Sequence, residues 1–204
     1  MFFQHRDSQA RDKGVSVKLI AIGTAVVLLL VLVLILLGGG TPKSAAKKYV
    51  RAQIEGDAKA MYRVMAGKMQ KYNEALFEDG KEEMFSATEE ACKEMDIQVD
   101  IRNFNQYYKA GKQLSAAQLE DQYGKGYKLT VKVREIEDMS MADLKRMQER
   151  CTEEDLADYI RADKIKKGKC AIVDVIIEGT KETTTQNVRV YVVKYKGKWK
   201  VANF

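Results

Sequence analysis

The chain has 204 residues, 46% of them apolar, 31% charged and 8% aromatic, with three Cys, one His, one Pro and a formal net charge of +6. That composition excludes collagen-like and intrinsically disordered chains, and three Cys are too few for a disulfide-dense scaffold.

The apolar residues are segregated. From Leu19 to Leu37 every residue except Gly23 and Thr24 is apolar, and no charge falls between Lys18 and Lys43. Without this run the apolar fraction drops to about 42%, that of an ordinary soluble domain. At ~1.5 Å rise per residue the run forms a helix of about 29 Å, which matches a hydrocarbon core of roughly 30 Å. It therefore reads as a transmembrane helix. The apolar region of a cleaved signal peptide is usually ~7 to 15 residues. The small residues Gly38, Gly39 and Gly40 keep cleavage open as an alternative. No Cys immediately follows the run, which rules out a lipid-modified N-terminal Cys.

The chain thus divides into a polar tail (1–18), a span (19–37), a spacer (38–43) and one domain (44–204). Arg6, Arg11, Lys13 and Lys18 before the span nearly balance Lys43, Lys47, Lys48 and Arg51 after it, so the positive-inside rule does not decide orientation. A short tail, a first apolar span and a large C-terminal domain form the usual layout of an uncleaved signal anchor. That layout predicts a single-pass cell-membrane protein with its tail in the cytoplasm and its domain outside. His5 lies in the tail, so the domain has no His.

Within the domain, Ser44 is placed to cap a helix carrying Tyr49, Val50 and Ile54 on one face. Gly56 breaks it, and Asp57 caps a second helix in which Met61, Val64, Met65 and Met69 form an i, i+3, i+4 stripe. The stripe reads as core, because Met fills irregular gaps. A third helix covers residues 81–95, with Met84, Ala87, Ala91 and Met95 on one side. Ser115 and Gln118 mark a capping box for a short helix that ends near Tyr123 and Gly124.

The period then changes. Tyr127, Leu129, Val131 and Val133 alternate with polar residues, which predicts a half-buried strand. The next apolar residue is Ile136, so the phase slips and a bulge is expected near Arg134 and Glu135. Two capped helices, residues 140–150 and 152–162, form a helical insertion. Strands over 169–178, 184–195 and 198–203 close the chain. A three-residue loop around Gly197 would keep Tyr191, Val193, Tyr195, Trp199 and Val201 on one face, and that register is expected. The order predicts an α+β domain, with about three helices packed on one face of a curved antiparallel sheet.

The stretch AAKKYVRAQIEGDAKAMYRVM, in which Gly56 and Asp57 separate two amphipathic helices, carries a resemblance together with the terminal NVRVYVVKYKGKWKV and the intervening YGKGYKLTVKVREIEDMSMADLKRMQER. These segments resemble the membrane-anchored, extracytoplasmic members of the nuclear transport factor 2-like superfamily of Gram-positive bacteria, over most of residues 44–203. The resemblance implies a cone, in which a curved sheet and its helices enclose a cavity. The superfamily includes small enzymes, small-molecule binders and protein-binding domains, so fold alone does not choose the function.

An enzyme on such a fold needs an ionisable pair in the cone, usually Asp with His or Tyr. Asp174 interrupts the apolar run from Ile172 to Ile177 and admits two readings. Alternation puts it on the solvent face of a half-buried strand. Alternatively it turns into the cone and meets Tyr62, Tyr191 or Trp199 as a general base. Cys92, Cys151 and Cys170 have no metal-ligand spacing, and a bridge, if one forms, is expected between Cys151 and Cys170. No phosphate-cradling glycine loop and no Gly-x-Ser-x-Gly nucleophile motif is present, so no cofactor is expected.

Beyond residue 40 the domain carries 31 basic and 27 acidic side chains, a surplus too small to indicate nucleic acid. Two lysine clusters stand out: Lys164, Lys166, Lys167 and Lys169, and Lys194, Lys196, Lys198 and Lys200. They read as strand-edge lysines that discourage edge pairing, or as a basic surface for anionic lipid headgroups or envelope polymers. The function expected from these residues is non-enzymatic: an extracytoplasmic domain that binds a protein partner or envelope ligand, or pairs with a second copy through its sheet. The alternative is a small-molecule-binding or enzymatic cone that uses Asp174 and nearby Tyr residues.

Overall fold

The computed structural model describes residues 40–203. The expected span Leu19–Leu37 and His5 lie outside those residues. Among the described residues no helix is long and apolar enough to cross a membrane.

The compact unit begins at Thr41. The first helix, α1, covers Pro42–Ile54 and starts earlier than expected. Thr41, not Ser44, is the cap: its Oγ1 accepts the Ser44 N–H at 3.1 Å, and Pro42 fills the first turn, where its missing N–H costs nothing. Asp57 caps α2 (Ala58–Val64), as its position after Gly56 predicts.

The Met stripe does not continue as one helix. The chain leaves α2 at Met65, which bridges to Val201, and the Ala66 N–H donates to the Val201 carbonyl at 2.7 Å. A new helix, α3 (Met69–Leu76), follows. Met65 and Met69 are still buried, because the break redirects the stripe without exposing it.

In α4 (Lys81–Glu94) the buried side chains are Phe85 and Cys92, one register away from the expected Met84–Ala91 side, and Ala87 is exposed. The burial is set by α5, a helix from Phe104 to Tyr123 that is longer than the expected short one. Phe85 meets the ring of Phe104 edge-on at 5.4 Å and Tyr107 at 5.6 Å, making a second small core with Ile101 and Ala110. A start signal for α5 does exist in the sequence. Asn103 Oδ1 accepts the Gln106 N–H at 3.1 Å, and Gln106 Oε1 accepts the Arg102 N–H at 2.9 Å.

The fold is α+β: a curled, four-stranded antiparallel half-barrel in the order β1 (Lys128–Asp138), β2 (Ile165–Glu178), β3 (Thr183–Tyr195), β4 (Lys198–Val201). Six α-helices accompany it among the described residues, the sixth being α6 (Met141–Arg150). The slip in β1 is where the alternation places it. Val133 pairs with Val173 and Glu135 with Ile172, so Arg134 is the extra residue.

The main core lies between one sheet face, formed by Ala171, Val173, Val175, Val190 and Val192, and the buried side of α1, with Ala46 and Val50 fully enclosed. α1 touches all four strands. Its last turn reaches the start of β1, where Arg51 Nη2 donates to the Leu129 carbonyl at 3.2 Å. β4 stands three strands away and pairs only with residues 192–195 of β3. The earlier turns of α1 therefore meet β4, and the helix runs diagonally with its N-terminus toward the β3–β4 hairpin.

The hairpin corrects the expected register. Tyr195 pairs with Lys198, and Lys194 with Trp199, so the loop has two residues, Lys196 and Gly197, with φ of +49° and +81°. Positive φ at both positions matches the right-handed strand twist. The expectation fails because both faces are covered here. Val192 and Val193 are each fully buried, so alternation no longer marks an inside. The second cover is the insertion between β1 and β2. It holds α6, whose Leu144 abuts Gly168 opposite Val193, and then turns over residues 151–159 in place of the second expected helix. Thr152 does not cap forward. Its hydroxyl donates back to the Glu149 carbonyl at 2.7 Å, and Arg150 grips Asp155 through both guanidinium nitrogens at 3.0 and 3.1 Å.

Asp57 links its cap to a measurable pH effect. One carboxylate oxygen accepts the Ala60 N–H at 2.9 Å, and the other accepts Lys112 Nζ at 2.6 Å. Lys112 chiefly, then the Ala60 N–H, hold the carboxyl below its usual range. A depressed folded pKa contributes stability that is full above the unfolded value near 3.9 and is lost as pH falls through the folded value. Asp57→Ala is expected to cost about 1 kcal/mol at neutral pH, and the gap between variant and parent should narrow below about pH 4. Urea midpoints measured against pH check this, and a gap independent of pH would refute it.

Candidate functional site

The four residues proposed for a pocket are divided between the two faces of the sheet. Asp174 pairs across the ladder with Lys132 and Asn187 on the face opposite the Val173 and Val175 core. Its carboxylate lies 3.3 Å from Arg134 Nε, and Arg134 also donates to Asn187 Oδ1 at 2.8 Å. The bulge residue on β1 thus clasps Asp174 on the neighbouring β2 and reaches Asn187 on β3. Tyr191 shares this face, but it pairs with Cys170, four positions along β2 from Asp174.

Trp199 and Tyr62 pack instead against the α1 core. Tyr62 meets Tyr108 edge-on at 5.8 Å, and the Tyr108 hydroxyl donates to Glu74 Oε1 at 3.3 Å. Burial pushes the Tyr62 phenol up to about 12 and raises that of Tyr108 as well, so both stay protonated near neutral pH. This pair ties α2 to α5.

Tyr191 lines a shallow, open groove of about 660 Å³ with Met139, Met147, Arg146, Arg150 and Asn203. Its guanidiniums already have carboxylate partners: Arg146 faces Asp143 at 2.5 Å, and Arg150 faces Asp155. The three thiols are free, so the suggested bridge between Cys151 and Cys170 is not formed. Cys92 and Cys151 are buried and Cys170 half-buried, and desolvation raises all three pKa values, that of Cys151 to about 11. Among the described residues no group of three or more His, Cys, Asp or Glu is placed to hold a metal ion.

The lysine clusters are what the fold brings together. β2 and β3 are antiparallel neighbours, so the start of one lies beside the end of the other: Ile165 pairs with Tyr195, and the Lys196 N–H donates to the Lys164 carbonyl at 3.4 Å. The ladder is irregular between Ile165 and Gly168, and Lys166 and Lys167 project from it, exposed. Lys196 and Lys198 are exposed on the hairpin beside them, with the Lys196 ammonium 5.6 Å from the centre of the Tyr195 ring.

Not every lysine of the two runs takes part. Lys164 is held by Asp163 at 2.8 Å and Lys169 by Asp138 at 2.8 Å. Lys200 turns inward and donates to the Arg63 carbonyl, where burial lowers its pKa. Lys166, Lys167, Lys194, Lys196 and Lys198 form no ion pair among the described residues. The antiparallel order of β2 and β3 was the sequence signal that joins these two clusters.

The chain matches no family model, no curated protein and no solved structure.

Proposed function

We propose that this chain is a single-pass membrane protein, anchored through Leu19–Leu37, whose extracytoplasmic domain binds a polyanionic ligand and performs no catalysis. The observation that carries the reading is the convergence of Lys166 and Lys167 with Lys194, Lys196 and Lys198 at one end of the sheet, without carboxylate partners among the described residues. Like charges held together by a rigid ladder repel one another, and an anionic ligand relieves that repulsion. The absence of His from the domain and the clasp of Arg134 on Asp174 support binding over proton-transfer chemistry. A cone of the nuclear transport factor 2-like kind agrees with the bulged β1, the curled sheet and the diagonal α1.

The test uses the full chain in neutral detergent on immobilised polyphosphate. Retention should fall steeply with salt and be lost in the Lys166→Gln, Lys167→Gln, Lys196→Gln, Lys198→Gln variant, since each exposed contact releases bound counterions. Equal retention of that variant would defeat the reading. Protease accessibility in intact cells tests the side of the membrane: a domain protected from added protease would place it inside.

A further inference from the structure

The basic end of the sheet and the N-terminus of α1 lie toward the same pole of the domain. Arg51 fixes the last turn of α1 at the start of β1, and the first turns meet β4, whose hairpin carries Lys196 and Lys198. Three more lysines, Lys43, Lys47 and Lys48, are exposed on those first turns and form no ion pair among the described residues. The pole therefore presents exposed ammonium groups from three separate segments: the start of α1, the start of β2, and the β3–β4 hairpin. Two acidic groups beside it are already engaged, Asp163 by Arg161 and Lys164, and Asp138 by Lys169.

We infer that the polyanion this pole meets is the anionic headgroup surface of the bilayer in which the chain is anchored. The inference rests on the reading of the basic end given above and supplies its partner. The argument is one of chain length and charge. A span ending at Leu37 leaves residues 38–41 before α1, at most about 14 Å of extended chain. A tether that short holds the N-terminus of α1, and the lysines around it, within roughly a Debye length or two of the headgroups. There a lysine gains about 1 kcal/mol from an anionic surface. Held at that distance, the pole faces a high local concentration of headgroups without needing a diffusing ligand. Docking it fixes the long axis of the sheet relative to the bilayer and leaves the opposite end, with the β2–β3 turn, directed outward.

The sole tryptophan, Trp199, lies between Lys198 and Lys200 on the hairpin and reports docking directly. The full chain is reconstituted into vesicles of phosphatidylcholine alone, and of phosphatidylcholine mixed with phosphatidylglycerol. Each contains a trace of lipid bearing a dansyl headgroup as energy acceptor. Transfer from Trp199 should be high in the mixed vesicles at low salt, fall with added salt, and be low in phosphatidylcholine.

Each Lys→Gln change at residues 43, 47, 166, 167, 196 or 198 should lower the docked-to-undocked ratio about fivefold. Circular dichroism of the same samples identifies any variant that fails to fold, and single substitutions of exposed lysines keep that outcome separate. Transfer that is equal in the two kinds of vesicle, or indifferent to salt and to the lysines, overturns the inference. If the chain still binds polyphosphate in that case, the basic end binds a soluble polymer and only this inference fails. Loss of both signals removes the earlier reading as well.

Discussion

Replacing Gly67 by Ala is expected to destabilise the domain by about 3 kcal/mol or more. Gly67 has φ of +73°, and an added Cβ would lie 2.5 Å from the Tyr159 carbonyl oxygen and 2.9 Å from Ile160 Cβ. The left-handed backbone alone costs an L-residue roughly 1–2 kcal/mol. The contact adds more, because the neighbours cannot yield. The Tyr159 carbonyl accepts the Lys68 N–H at 2.8 Å, and Ile160 is fully buried. On the other side, Ala66 is bonded to Val201, so the strained segment also closes the outer edge of β4. Gly197→Ala separates the two causes. Its φ is +81° but the space around it is open, so only the backbone cost of roughly 1–2 kcal/mol should appear. Urea unfolding of both variants measures the difference. Similar losses would mean that the 65–68 segment moves freely away from Tyr159.

Leu156→Ala should cost about 3–5 kcal/mol, the range for a fully enclosed Leu whose site cannot collapse. Leu156 is 0% exposed in a stretch of consecutive turns, a placement usually associated with surface loops. Its surroundings are braced. The Leu156 N–H donates to the Glu153 carbonyl and its own carbonyl accepts the Ile160 N–H, both at 3.0 Å, while Arg150 grips Asp155 and the Tyr72 hydroxyl donates to Asp155 at 2.8 Å. These clamps hold the loop in place, so truncation leaves a cavity. The unfolding midpoint of the variant decides this. A loss under about 1 kcal/mol would show that the turns relax into the vacated space.

Much of this fold is legible in the sequence where one physical signal acts alone. Asp57 and Ser140 cap helices because their side chains accept N–H groups three residues on, and the two-residue period of β1 slips at Arg134 because an extra residue enters the ladder there. Legibility ends where tertiary contacts compete with local pattern. Met61, Val64, Met65 and Met69 have helical spacing, yet a backbone bond from Ala66 to Val201 outweighs continuing the helix. Thr152 and Asp155 look like a capping box, but each is taken by an earlier partner, Glu149 and Arg150. The hairpin register was hidden because Val192 and Val193 are both buried, so no alternation distinguishes their faces.

The candidate site was legible by halves. Both lysine runs stand out in the sequence, whereas the loss of Lys200 to the Arg63 carbonyl requires the fold. Asp174 shows the converse. Its alternation pattern places it on the outer face, but its pairing with the bulge residue Arg134, 3.3 Å away, shows only in the fold.

The three unbridged thiols bear on where such a domain can persist. Oxidation and disulfide exchange proceed through the thiolate, and a thiol with a pKa near 11 is ionised to only about one part in ten thousand at neutral pH. Cys151 is therefore chemically silent twice over, enclosed from oxidants and almost never in its reactive form. Desolvation pushes the Cys92 and Cys170 thiols up as well, which lowers their thiolate fraction in the same direction. Burial thus shields Cys92 and Cys151 from oxidants and leaves the half-buried Cys170 as the most accessible of the three thiols.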